Sequence, residues 1–287
     1  MMINLSLCTI SFRHQLISIE QVADWARAQQ FHGLELWGIH ARNLAQQPEY
    51  DEQWLASFGL YTAMISDYLP LDGDPHQAKA KAGILCECAS HWGTRKIRSF
   101  AGQLASNAVN SEQRKAMVRR LQQLCDQLAD YGCELLIETH PNTLADTAAS
   151  TRQLLQEVDH PSLKLNFDVL HLWEAGDDPL TVYQEFKPFI KHFHLKNIRE
   201  RHLLPIFSPA NVYSPAGVRD GMVSLFDGEF DYSTFLTHLA TDIHMEASLE
   251  WFGTHVKEVL KQDRERITRL VQPTNAKTFL QARAVPV

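Results

Sequence analysis

A closed (β/α)₈ TIM barrel, an α/β fold, is what this sequence predicts, on two observations. Short β-type runs alternate with helix-type runs almost throughout, and they can be counted to eight. The 287 residues suit one such barrel, since (β/α)₈ chains of about 250 residues are usually single domains.

Candidate strands begin near Ile3, Leu34, Tyr61, Lys96, Glu134, Leu163, Ile190 and Met245. The first, "MMINLSLCTISF", is apolar but lacks the basic n-region and small-residue cleavage site of a signal peptide, so it reads as a strand. The pair Cys86 and Cys88 in "CEC" reads as helix packing rather than a metal site. Before the fifth strand, Met117, Leu121, Leu124 and Leu128 recur at helical spacing, and Gly132 follows as a C-cap. After the fifth strand a helix follows Asp146, with Leu154, Leu155 and Val158 on one side and Pro161 just beyond. The segment 197–230 breaks the rhythm. It is rich in Pro, Gly and Asn and follows the seventh strand, so it is expected to rise over the C-terminal mouth as a lid. The barrel domain is expected to span 1–270, and the tail 271–287, which has no periodicity, to lie on the surface or on a partner subunit.

Composition narrows the function. A net charge of −7 argues against a nucleic-acid surface, which needs a basic stripe. No run approaches the roughly 18 apolar residues of a membrane span. Five cysteines without a CxxC spacing suggest a reducing cytoplasm and no disulfide framework. Together these fit an enzyme acting on small molecules.

The stretch "LLIETHP" (135–141) frames the chemistry. Glu138 and His140 lie two apart at a strand end and share a face. An unpaired charge aimed at that interior would cost several kcal/mol or more. The next strands end alike: Asp168 in "LKLNFD", His194 in "IKHFHLKN" and Glu250 in "MEASLEWFG". A lone Glu or His at a strand end is usually a cap, an ion pair or a core residue. Four successive strands each carrying one at the C-terminal end, where barrel active sites form, point instead to one divalent metal ion. Three carboxylates and an imidazole suit Mn²⁺, Mg²⁺ or Co²⁺ better than a thiolate-seeking ion.

A second set of polar groups surrounds the first. Lys196 lies two beyond His194, His171 lies in the loop above Asp168, Arg98 ends the fourth strand and Tyr68 follows the third. Such a ring expects an anionic, oxygen-rich substrate. Glu35 and Trp37, ending the second strand, are placed on the floor of the site, although "ELW" is also ordinary barrel packing. His192 shares a face with His194 but lies deeper and reads as a core histidine.

The four-ligand pattern is similar to that of the xylose-isomerase-like barrels. Within them, "SLCTISFRHQLIS" (6–18), "ELWGIHARNL" (35–44), "MISDYL" (64–69), "FAGQ" (100–103), "ETHPNTLADT" (138–147), "FHLKN" (193–197) and "ASLEWFG" (247–253) resemble the 3-dehydroshikimate dehydratases of petrobactin-type siderophore biosynthesis, to about Leu260. That resemblance implies conversion of 3-dehydroshikimate to protocatechuate with a divalent metal. It implies Glu138, Asp168, His194 and Glu250 as ligands, His140 as acid/base, and Tyr68, Arg98, His171 and Lys196 as substrate contacts. His140, with an unperturbed pKa near 6.5, suits proton abstraction near neutral pH. Lys196 is a second candidate proton donor. A homodimer is common for such barrels. Protocatechuate serves both siderophore assembly and growth on quinate or shikimate, and the residues speak equally for both.

Other classes fit less well. A sugar isomerase or ketose 3-epimerase shares the metal and the enediolate chemistry, but its neutral substrate leaves Arg98 and Lys196 without a task. An endonuclease IV-like nuclease needs more ligands and a basic groove. A lapsed binding module is expected to have lost a ligand or the base.

Overall fold

The computed structural model describes residues 2–239 and 244–271. Among these described residues there are ten strands: β1 Met2–Cys8, β2 Gly33–Trp37, β3 Tyr61–Ser66, β4 Lys96–Ser99, β5 Glu134–Glu138, β6 Leu163–Asp168, β7 Ile190–Leu195, β8 Asn197–Ile198, β9 Met222–Val223 and β10 His244–Leu249. Eight of them close a parallel barrel in the order β1–β10–β7–β6–β5–β4–β3–β2. Each expected strand start falls within one residue of the observed one. Among the described residues no helix is long and apolar enough to cross a membrane.

The helices form where capping and apolar spacing agree. Ser111–Asp130 starts from a capping box between Asn110 and Gln113, and it buries Met117, Leu121, Leu124 and Leu128. It ends before Gly132, whose φ of 69° only glycine adopts cheaply. Ala148–Val158 is capped by Thr147 and buries Leu154, Leu155 and Val158. Cys86 and Cys88 are buried in the helix Pro75–His91, and all five cysteines are free thiols.

The segment 197–230 is more ordered than its composition suggests. β8 and β9 pair antiparallel, and a 3₁₀ helix, Arg201–Phe207, leads into a short helix, Pro209–Tyr213. A small apolar cluster, separate from the main core, ties it down, with Ile198, Leu204, Phe207 and Val212 packed against Ile10 and Phe252. Asn197 Nδ2 donates to the carbonyls of Leu225 and Phe230, pinning the two ends together. Residues 272–287, nearly all of the expected tail, lie outside the described residues.

Asp263 fastens this segment to the last helix, accepting from Leu225 N at 2.9 Å and from Ser224 Oγ. Burial raises its pKa to about 6. A carboxyl raised on folding stabilises the protonated form, so its contribution is present below about pH 4 and is lost as pH rises through about 6. Asp263→Asn keeps the accepting carbonyl and removes the buried charge. Thermal melts are expected to show the variant gaining on the wild type, by roughly 2 kcal/mol, between about pH 4 and 6.5, with little further change above. A difference that does not change with pH would refute this account.

Candidate active site

The barrel register builds the site. Glu138 and Asp168 end β5 and β6, His194 is the penultimate residue of β7, Lys196 follows β7 and Glu250 follows β10. Asp168 and Ser248 each pair with His194, and Glu138 pairs with Asn166. All of these side chains are buried. Asp168 has two tasks. Its Oδ1 accepts from Leu170 N and His171 N, capping the helix Val169–Glu174, while Oδ2 accepts from Lys196 Nζ. The same ammonium donates to Glu250 Oε2 at 2.7 Å.

His194 is the centre. Its Nε2 lies 3.0 Å from both carboxylate oxygens of Glu35. Among the described residues its Nδ1 has no aligned hydrogen-bond partner, yet it lies 3.5 Å from Glu138 Oε1, 3.5 Å from Glu250 Oε1 and 4.0 Å from Asp168 Oδ2. Burial opposes a charge on this ring, but Glu250, Glu35 and Glu138 together raise its pKa well above the ordinary value. Burial likewise opposes charge on Glu138, and Arg98 and His194 hold it well below the usual carboxylate range. One atom of each of Glu138, Asp168 and His194 lies within 4.8 Å of the others, and the same is true of Cys8, His194 and Glu250.

Arg98 closes one wall. Its Nε sits 2.8 Å from Glu138 Oε2 as an ion pair without hydrogen-bond alignment, and its buried Nη1 has no hydrogen-bond partner among the described residues. Its guanidinium lies over the rings of Tyr68 and Phe100. His140 stacks on Phe100 with centroids 4.1 Å apart and meets His171 edge-on. Its Nδ1 is 2.8 Å from the Pro141 carbonyl. Nδ1–H therefore donates there, and Nε2 keeps its lone pair. Burial, with His171 beside it, pulls the pKa of His140 down to about 3. The expectation of an ordinary pKa near 6.5 is thus corrected: the surroundings hold this imidazole neutral.

Tyr68, Arg98, His140, His171 and Lys196 meet at one inner chamber of about 30 Å³. Outside it, Tyr68, Phe100, His140, His171, Phe207 and Tyr213 face a vestibule of about 460 Å³. The hydroxyls of Tyr213 and Tyr68 are hydrogen-bonded, and Tyr213 stacks on Trp37.

Two sequence-based placements change. Glu35 was expected on the floor of the substrate site; it lies behind His194, accepts from Ser66 Oγ and lines neither chamber. Glu35 lies mid-strand in β2, buried, with its carboxylate taken up by His194 Nε2 and Ser66 Oγ. His171 sits on the helix Val169–Glu174 rather than in a loop, because Asp168 caps that helix. His192 is a core histidine, 2.7 Å from Ser248 Oγ. Sequence reasoning missed Cys8, Phe207 and Tyr213. In-register pairing of Leu7 with Leu249 sets Cys8 beside Glu250. Burial, with Glu35 and Glu250 nearby, raises the thiol pKa well above its ordinary value.

Comparison with known proteins agrees with this architecture. A family model described as a xylose isomerase-like TIM barrel matches residues 22–270. A 3-dehydroshikimate dehydratase of Bacillus anthracis is 44% identical over 269 residues, which is 92% of this chain and 96% of that protein. The crystal structure of the probable 3-DHS dehydratase AsbF, involved in petrobactin synthesis in Bacillus anthracis, superposes with a TM-score of 0.88 at 44% identity, covering 92% of this chain and 98% of that one. An IolI protein with a bound zinc atom shares the fold, with a TM-score of 0.72 at 14% identity over 93% of this chain and 97% of that one. Closed barrel, matched family and full-length likeness agree: this chain belongs to the xylose isomerase-like TIM barrels and, within them, to the 3-dehydroshikimate dehydratase family.

Proposed function

We propose that this protein dehydrates 3-dehydroshikimate to 3,4-dihydroxybenzoate with one divalent metal ion, Mn²⁺, Mg²⁺ or Co²⁺, held by Glu138, Asp168, His194 and Glu250. The observation that carries the metal reading is the orphaned Nδ1 of His194, facing oxygens of three buried carboxylates. Charge counting supports it. Four buried carboxylates, Glu35, Glu138, Asp168 and Glu250, face Arg98, Lys196 and a protonated His194, leaving one negative charge in excess. A divalent ion in place of that proton brings the cluster to neutrality. The donor set, one imidazole and carboxylate oxygens, suits the harder divalent ions. The substrate reading is carried by the full-length likeness to a 3-dehydroshikimate dehydratase.

Held by Glu138, Asp168, His194 and Glu250, a divalent ion would supply Lewis acidity that stabilises negative charge developing on the substrate. The chain's own groups do the rest. Arg98, whose Nη1 is unpaired among the described residues, binds the C1 carboxylate and so fixes which ring edge faces His140. His140 Nε2 takes the C4 proton. As the resulting enolate collapses, the C4–C5 double bond forms and the C5 hydroxyl leaves as water, taking a proton from Lys196 Nζ or from Nε2 of the protonated His140. Loss of a C6 proton and protonation of the C3 oxygen make the ring aromatic and the sequence effectively irreversible. Segment 197–230 serves as the lid in this reading: its Phe207 and Tyr213 line both the inner chamber of about 30 Å³ and the vestibule of about 460 Å³, so they stand where a substrate ring passes inward.

Glu35 serves as a positioning residue rather than a substrate contact. Accepting Nε2–H fixes the tautomer of His194 and leaves Nδ1 to bind the ion. Glu35→Gln is expected to weaken Mn²⁺ binding by about 10- to 100-fold, read by calorimetric titration, with KM for substrate at saturating metal little changed. Unaltered metal affinity would sink this role.

The reaction is tested with protein stripped of metal and reloaded with Mn²⁺ or Mg²⁺. Metal-dependent growth of catechol absorbance from 3-dehydroshikimate is the expected result. Untouched substrate with metal bound would overturn the proposal.

A further inference from the structure

The neighbouring strands β1, β10 and β7 carry Cys8, Glu250 and His194 to one place. One ligand-capable atom of each lies within 4.8 Å of the others, and all three side chains are buried. The imidazole is shared with the group Glu138, Asp168 and His194. Its Nδ1 is wholly buried, has no aligned hydrogen-bond partner among the described residues and lies 3.5 Å from Glu250 Oε1. The mechanism gives Cys8 nothing to do.

We propose that Cys8, His194 and Glu250 form a second, thiolate-containing metal mode that takes thiophilic divalent cations, Zn²⁺ above all, in competition with the carboxylate-rich mode. The inference rests on the reading above that His194 and Glu250 are metal ligands. One sulfur, one nitrogen and one oxygen make a three-residue zinc set with a fourth position open. Thiolate favours zinc, whereas carboxylate and water suit Mg²⁺ and Mn²⁺. Formation of the Zn–S bond releases the thiol proton to solvent. Because both modes need His194, one excludes the other. Zinc drawn to the β1–β10 side leaves Glu138 and Asp168 without their ion, so Zn²⁺ inhibits by displacing Mn²⁺.

Cobalt is the probe. Co²⁺ added to the stripped protein is expected to give visible bands that report binding and a near-ultraviolet thiolate-to-cobalt charge-transfer band that reports Cys8. The charge-transfer band should vanish in Cys8→Ser, and in Cys8→Ala as a second variant, while the visible bands remain. In the same variants the preference for Zn²⁺ over Mn²⁺, from competition titrations, should fall by about tenfold or more. Visible bands abolished by His194→Ala, without any charge-transfer band in the wild type, would overturn the thiolate mode and leave the carboxylate site standing. An unchanged Zn²⁺/Mn²⁺ preference in both Cys8 variants would overturn it equally. Absence of any His194-dependent Co²⁺ binding would instead overturn the metal reading itself, and this inference with it.

Discussion

Replacing His140 by Ala is expected to lower turnover by about 100-fold or more while Mn²⁺ content and melting temperature stay near those of the wild type. The argument begins with geometry. Nδ1 is committed to the Pro141 carbonyl at 2.8 Å, and the ring is clamped between Phe100 and His171, so only Nε2 is available to the substrate. The peptide around it is equally fixed, with His140 N donating to the Ala145 carbonyl and Thr143 Oγ1 donating to the His140 carbonyl. The pKa of about 3 makes this a weak base, and that places a demand on its neighbours. Lys196, with the Lewis acidity a divalent ion would supply when held by Glu138, Asp168, His194 and Glu250, would have to stabilise the developing enolate, because the imidazole alone does not drive the transfer. The same shift has a sign that can be checked. A base whose pKa is depressed on folding stays ready down to about pH 3, so any loss of kcat/KM between about pH 8 and 6 belongs to other groups. Near-normal turnover in His140→Ala, measured with metal content verified, would remove it from the mechanism.

What the sequence discloses and what it conceals divide along physical lines. Buried parallel strands read as short apolar runs between polar turns, which is why Leu34, Tyr61, Lys96, Glu134, Leu163 and Ile190 mark strand starts to within one residue. Strand-end side chains are equally readable. Alternation fixes the face that Glu138, Asp168 and His194 share, and parallel register brings Asp168 beside His194. Contacts across the barrel are a different matter. Glu35 meets His194 at a separation of 159 residues, and no local pattern announces that contact, so Glu35 looked like a floor residue. Cys8 is concealed for the same reason: only closure between β1 and β10 sets it beside Glu250. Tyr213 and Phe207 lie in elements of five and seven residues, too short for periodicity to register. Pro, Gly and Asn marked that segment as irregular but did not say which rings would face the chamber.

Lys196→Met is expected to have the second large effect, and it separates structure from chemistry. The ammonium of Lys196 is the only protein cation hydrogen-bonded to Asp168 and Glu250 among the described residues, and all three side chains are buried. Burial opposes its charge, but Asp168, Glu250 and Glu138 raise its pKa well above the ordinary lysine value, so it stays protonated across the working range. Methionine keeps most of the volume and removes the charge. Two buried carboxylates then lose their shared partner, at a cost of roughly 3–5 kcal/mol in the metal-free protein. For a chain of this size that lowers the melting temperature by about 10 °C. A divalent ion satisfies the same carboxylates, so saturating Mn²⁺ should restore more stability to the variant than it adds to the wild type, and Mn²⁺ should bind at least as tightly as before. Turnover should nevertheless stay down by about 100-fold, because the ion does not replace a proton donor aimed at the departing hydroxyl. The decisive comparison is between melts with and without Mn²⁺ and the rate of product formation in one preparation. Recovery of both stability and turnover would make Lys196 a charge balancer alone and assign the leaving-group proton to His140. Recovery of stability without turnover gives Lys196 the chemical role.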